Sequence, residues 1–315
     1  MKILFRLAAG LLILSGPAQA ASLELGLTRA VKKRARTVSD TVRRQRVAPR
    51  ILWQKCVPDA GTQCDVWSMN LDGSDPVNLT PGTDTSFDFD TQWSPDHTKI
   101  VFSSTRGGNP DIYTMNADGS EVARLTSDSG FESWGSFSPD GSKIVFSRAV
   151  AGKGQLFVMN RDGSNPVRLH TGPGADEEPA YSPDGSKILF GNDSTGRYQL
   201  YAMNADGSSV VQLTTGAYEN RYPSWSPDGQ KIVFGSDRTG NSELFVMNAD
   251  GTGAAPLTSN PGAINSDPAW SSDGSKILFA STRDGNAEIY VMDRDGSNET
   301  RLTFDGVFDA GPFAW

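Results

Sequence analysis

Histidine and cysteine are scarce: His97, His170, Cys56 and Cys64 are the only ones among 315 residues. With so few of them, a four-ligand zinc site would have to use all four at once. No His-Glu-x-x-His occurs, no Gly-x-Ser-x-Gly elbow and no Gly-x-x-x-x-Gly-Lys-Ser/Thr phosphate loop, so the common metalloprotease, serine-hydrolase and nucleotide-binding signatures are missing. Long apolar runs are also missing. The longest, Leu7 to Leu14, is too short to span a bilayer, which leaves no transmembrane segment in the mature chain. Each histidine has a bland explanation. His97 stands where other turns carry Gly, and His is enriched at positive φ. His170 stands where Thr follows Leu elsewhere. Asp293-Arg294-Asp295-Gly296 looks like the start of a calcium loop, but the downstream Glu spacing fails and a hairpin turn accounts for it better. No metal and no cofactor is expected.

What the chain has in abundance is repetition. The stretch aromatic-Ser-Pro-Asp-x-x-Lys-Ile-Val/Leu-Phe recurs with its leading aromatic at Trp93, Phe137, Tyr181, Trp225 and, with Ser272 for Pro, Trp270, and Trp315 stands alone at the end. The steps are 44, 44, 44, 45 and 45 residues. Met-Asn-x-Asp-Gly starts at Met69, Met115, Met159, Met203 and Met247, with Met292 opening Met-Asp-Arg-Asp-Gly, and Leu-Thr keeps the same beat from Leu79 to Leu302, with His170 replacing Thr once. Short strands at this period are the mark of a β-propeller of about four strands per blade.

Within one unit, Ser94-Pro95-Asp96-His97 is a turn, since Pro presets φ and Asp suits the next position. Lys99-Ile100-Val101-Phe102 is apolar on successive residues, as suits a strand covered on both faces. Asp111 to Met115 is β-branched and aromatic, and Asp118-Gly119 is a strong hairpin signal. The first unit, from Ile51, lacks a leading aromatic strand; the last segment, Asp309 to Trp315, is only such a strand. The sequence therefore predicts an all-β, six-bladed β-propeller over residues 51–315, closed by a C-terminal strand that completes the first blade and leaves no free edge.

The Ser-Pro-Asp-Gly-x-Lys-Ile-x-Phe, Ile-Tyr-x-Met-Asn-x-Asp-Gly-Ser and Leu-Thr motifs resemble those of the TolB-like propeller family across Ile51 to Trp315. TolB itself carries an α/β domain before its propeller; here only about thirty residues separate the signal from the first blade. The resemblance implies a non-catalytic binding protein of the cell envelope, working as TolB-like propellers do with the Tol–Pal system.

Residues 1–20 read as a cleaved secretory signal: Lys2 and Arg6, an apolar core, then Ala18-Gln19-Ala20. The mature protein is expected in the periplasm or outside the cell. In such surroundings Cys56 and Cys64, flanking one hairpin loop, are expected to form a disulfide. Residues 21–50 are basic, with Lys32, Lys33, Arg34, Arg36, Arg43, Arg44 and Arg46 among them. The whole chain carries −8; the signal contributes +2 and the next thirty residues +7, which leaves −17 on residues 51–315. This arm reads either as an amphipathic helix meeting an anionic membrane or acidic partner, or as a solvated tail. An exported acidic protein is not expected to bind nucleic acid.

One polar constellation remains. Five residues before the aromatic lie Asp88, Glu132, Asp176, Asn220 and Asn265; three before it lie Asp90, Glu178 and Asp267. First strands line a propeller's channel, so these residues are expected at one channel mouth. They read as a binding site for a cation or a basic peptide, or as caps paired with Arg106, Arg238 and Arg283. Two functions follow. One is an exported, non-catalytic scaffold for a cell-envelope protein or peptide. The other is a carbohydrate hydrolase or lyase using two of the carboxylates.

Overall fold

The computed structural model describes residues 50–57, 63–82 and 86–314. The signal, the basic arm from Lys32 to Arg46, and Trp315 lie outside them. Twenty-four strands, β1 to β24, form six four-stranded antiparallel sheets. Blades 2 to 6 each read in chain order: 88–124, 132–168, 176–212, 220–256 and 265–301. Blade 1 takes β1 (Arg50–Val57), β2 (Gln63–Asn70) and β3 (Val77–Asn78) from the start of the propeller and β24 (Phe308–Ala314) from its end, in the order β24-β1-β2-β3. This is the closed six-bladed ring that the repeat implies.

The apolar run in each second strand is explained by period-two geometry. Ile100 and Phe102 pack against Leu52 and Val66 of blade 1. Val101, between them, packs against Phe137 and Ile144 of blade 3. One apolar cluster fills each of the six seams. A fully buried Phe, Leu or Ile contributes roughly 1.5–3 kcal/mol, so the seams hold the ring together.

The hairpin glycines couple neighbouring blades. Gly119 has φ 83°, and a Cβ there would lie 2.4 Å from the carbonyl oxygen of Leu79 in the preceding blade. Gly163, Gly207, Gly251 and Gly296 meet Leu125, Leu169, Leu213 and Leu257 in the same way, and Gly73 meets Leu302 across the closure. The Asp-Gly and Leu-Thr motifs keep one beat because they touch. His97 adopts φ 54°, the turn conformation expected of it. Cys56 and Cys64 stand opposite each other in the β1–β2 ladder and are joined by a disulfide.

One expectation is corrected. Counting aromatics places Trp315 in the sixth anchor position. The ladder instead pairs Ala314 with Ile51, as Trp93 pairs with Ile100. The anchor position falls on Ala314, because the final repeat runs 44 residues from Trp270 rather than 45.

Candidate functional site

Six first strands surround the central channel: β4 (Asp88–Trp93), β8 (Glu132–Phe137), β12 (Asp176–Tyr181), β16 (Asn220–Trp225), β20 (Asn265–Trp270) and β24. Each breaks register at the same place. On β4, Asp90 and Thr91 oppose the single residue Phe102, between the pairs Phe89–Ser103 and Gln92–Val101. The same irregularity recurs in the other five. At every bulge one residue takes a left-handed φ, between 52° and 59°: Asp90, Trp134, Glu178, Tyr222, Asp267 and Gly311. For Trp and Tyr this conformation is costly, and backbone strain of this kind gathers at functional sites. A bulge bends the strand and re-aims a side chain. Here it turns six side-chain positions toward the axis.

The six line one cavity of about 260 Å³. Around the ring the order is acid, Trp, acid, Tyr, acid, Gly. The three acids that the sequence places three residues before the aromatic are thus brought together, separated by Trp134, Tyr222 and Gly311. Pro179, Pro223, Pro268 and Pro312 follow the bulge in four blades and stiffen the wall. Asp90 Oδ2 accepts from Trp134 N at 3.3 Å and from Ser103 Oγ at 3.4 Å. Glu178 accepts from Tyr222 N at 2.6 Å and from Arg221 Nε at 2.9 Å. Arg221 also bonds Glu177 at 2.7 Å and lies 3.8 Å from the Tyr198 ring centre.

Burial dominates the acid–base behaviour. It pushes Asp90 up to about 8, with the charges of Asp267 and Glu178 adding to the rise. Burial raises Glu178 to about 7 against the pull of Arg221, and it raises Asp267 as well. Asp90 and Glu178 therefore resist full ionisation near neutral pH. They gain from any cationic or N–H-rich group that enters.

The residues five before the aromatic sit elsewhere, and their expected place at the channel mouth is corrected. Asp88, Glu132, Asp176, Asn220 and Asn265 are fully buried and absent from the cavity wall. Arg106 bonds Asp88 at 2.5 Å, Arg148 pairs with Glu132, and His170 Nδ1 lies 2.9 Å from Asp176. Arg238 and Arg283 donate to Asn220 and Asn265 at 2.7 and 3.2 Å. These residues are the paired caps of the alternative reading. A sixth member, Asp309, accepts from Trp53 Nε1 at 3.1 Å. Near it, Glu288, Asp305 and Asp309 bring carboxylate oxygens within 4.8 Å of one another. Arg301, Asn286 and Thr303 donate to Glu288, and Lys55 pairs with Asp305. That group is the ionic seam of the ring closure.

Sequence reasoning missed Trp134, Tyr222 and Gly311 because it searched the column for acids alone. The column itself was readable at Trp134 and Tyr222, three residues before Phe137 and Trp225.

A family model described as the TolB beta propeller domain matches residues 127–222 and 211–314. TolB from Acinetobacter baumannii is similar at 25% identity and a TM-score of 0.75, over 84% of this chain and 66% of that one. This chain thus spans just under two thirds of that protein. A putative TolB from Agrobacterium tumefaciens is similar at 21% identity and a TM-score of 0.68, over 85% of this chain and 98% of that one. A chain of a nidogen/laminin complex reaches a TM-score of 0.70 at 10% identity, over 85% of this chain and 98% of that one. The last two likenesses concern the fold.

Proposed function

The chain belongs to the TolB β-propeller family, and from that premise we propose that it is a non-catalytic binding protein whose central channel receives an extended segment of a partner protein. The observation that carries this reading is the ring of six left-handed bulge residues. A left-handed bulge in every blade, strained in five of them, with three acids set between Trp134, Tyr222 and Gly311, makes a lining suited to a chain of mixed character. Trp134 and Tyr222 offer faces to apolar or cationic side chains. Asp90, Glu178 and Asp267 offer acceptors to peptide N–H groups or to Lys and Arg. Homologues of this family point to a protein-binding role in the Tol–Pal system. We place the protein at the cell envelope, from its signal-like residues 1–20 and the Cys56–Cys64 disulfide. Among the described residues no helix is long and apolar enough to cross a membrane. The basic residues Lys32 to Arg46 would then be free to meet an anionic surface.

A photo-crosslinking residue in place of Trp134, introduced in the native host's envelope, tests this. The expected result is capture of a defined partner that is lost when Asp90→Asn, Glu178→Gln and Asp267→Asn are combined. Equal capture from a crosslinker at the outer position Val167, which is exposed, would refute channel binding.

A second reading rests on the raised carboxyls: Asp90 near 8 and Glu178 near 7 are pKa values that suit general acids of glycoside chemistry. Hydrolysis or lysis of a polysaccharide by the purified protein, abolished by Asp90→Asn, would favour it.

A further inference from the structure

Arg161 of blade 3 occupies the seam facing blade 2. Its Nη1 donates to Asp96 Oδ2 at 3.1 Å and its Nη2 to Thr98 Oγ1 at 3.3 Å. Its guanidinium lies 5.6 Å from the ring centre of Phe137, the anchor aromatic of its own blade. Four repeat positions make this arrangement: the turn Asp, the residue two beyond it, the next blade's anchor aromatic, and the next blade's first hairpin residue.

At the seam between blades 4 and 5 the same four positions are Asp184, Ser186, Trp225 and Ala249. All four line a groove of about 630 Å³. Three of the four parts of the arginine seat are present, and the arginine is replaced by a methyl group. The next seam, between blades 5 and 6, again has its own arginine: Arg294 lines a cavity with Asp228 and Trp270. The seam between blades 3 and 4, with Asp140, Ser142, Tyr181 and Ala205, also lacks the arginine but has Tyr in place of Trp; the seat with Trp225 stands beside one that has its own arginine.

From this internal template, we infer that the groove between blades 4 and 5 is a receptor for an arginine side chain of the partner protein. Asp184 Oδ1 is engaged by Ser182 Oγ at 2.6 Å and by Ser186 N at 3.0 Å. Among the described residues its Oδ2 receives only the Ser186 hydroxyl, at 2.9 Å, which it shares with Oδ1. That is the oxygen Arg161 takes on Asp96. The Ser182 hydroxyl and the Ser186 backbone N–H hold the Asp184 carboxyl down to about 2, so it is anionic at neutral pH. Asp228 and Asp250 add negative charge to the wall against the single cation Lys187. Trp225 is a better partner for a guanidinium face than the Phe137 of the template. Its Nε1 is buried with no hydrogen-bond partner. Arg, with its planar fork, suits a site that is both carboxylate and aromatic; Lys does not match it.

The groove adjoins the channel, since Pro183 and Trp225 line both cavities. The inference rests on the channel reading only for the identity of the ligand as a protein segment. The seat itself follows from the repeat.

The experiment uses the mature protein, with the Trp225 indole N–H resonance assigned by Trp225→Phe. The probe is acetyl-Gly-Arg-Gly-amide, with its citrulline counterpart as the neutral isostere. The arginine peptide is expected to shift that resonance with an affinity about tenfold above the citrulline peptide, since charge-assisted bidentate bonds are the stronger ones. Ala249→Arg fills the seat from within and is expected to abolish the shift. Asp184→Asn is expected to bring the two peptides to equal affinity, and it serves alone should Ala249→Arg fail to fold. Equal shifts by both peptides on the parent protein, or full binding by folded Ala249→Arg, would overturn the proposal. The combined Asp90→Asn, Glu178→Gln, Asp267→Asn variant is expected to bind the peptide at this seat as the parent does. Loss of the shift there, with Ala249→Arg unaffected, would place the arginine in the channel and reject the seat.

Discussion

Trp53 donates its indole N–H to Asp309 at 3.1 Å across 256 residues of sequence. The contact ties the first described strand to the last, beside the ladder that pairs β1 with β24. Asp309 is fully buried and its second oxygen has no partner.

Truncation after Val307 removes β24 and exposes the edge of β1. Its buried residues Ile51, Leu52 and Trp53 lose a covering strand and its ladder bonds. The truncated protein is expected to aggregate or to melt far below the parent. Calorimetry showing an unchanged Tm would mean that β24 does not close the ring. The milder Asp309→Ala leaves Trp53 Nε1 buried without an acceptor and should cost about 1–3 kcal/mol.

Stability should fall as pH rises from mildly acid to mildly alkaline. Asp90 sits at about 8, Glu178 at about 7 and Asp309 at about 7, each raised chiefly by burial. The folded chain therefore holds protons that the unfolded chain releases above about pH 4. The stabilisation is complete below that point and is lost as pH climbs through 7 and 8. Melting measured at pH 5 and pH 8.5 should show the higher Tm at pH 5, and Asp90→Asn should narrow the gap. A variant with the parent's pH slope would show that Asp90 does not contribute.

The bulge conformation separates size from shape at Trp134, whose φ is 55°. Trp134→Gly relieves the left-handed strain and is expected to leave Tm near the parent's while partner capture falls. Trp134→Val places a β-branched residue at the same φ and should cost about 1–2 kcal/mol. If Val and Gly melt alike, the strain assigned to the bulge is absent.

Reduction of Cys56–Cys64 opens a loop of sequence separation 8. The chain-entropy estimate is about 2–3 kcal/mol. The first blade should loosen, seen as faster amide exchange in β1 and β2, while blades 3 to 5 exchange as before. Uniform acceleration around the ring would indicate that the bridge stabilises the whole closure.

Blade count, hairpins, turn conformation and disulfide were all legible, because each depends on a few local residues with strong preferences. His97 at positive φ is the clearest case. The channel was half legible. In an unbroken strand Asp88 and Asp90 would share a face, since side chains repeat every two residues. The bulge between Phe89 and Gln92 sends Asp90 to the cavity and leaves Asp88 with Arg106. No residue type announces that break, as Asp, Trp, Glu, Tyr and Gly all occupy it. The last anchor was misread for a related reason. Trp315 drew the count one residue too far, and Asp309 fell outside the column it belongs to.

A bulge residue belongs to neither packed face of its blade. The six positions at 90, 134, 178, 222, 267 and 311 take no part in the apolar clusters of the seams, and where they join neighbouring blades, as Asp90 and Glu178 do, they use hydrogen bonds. Five of the six hold L-residues at left-handed φ, a cost the scaffold already carries, and on the channel reading their identities set what the axis can bind. The propeller thus keeps two separate alphabets: one written in the apolar seams that hold the ring together, and one of six letters around the axis, set apart from that packing by the bulge.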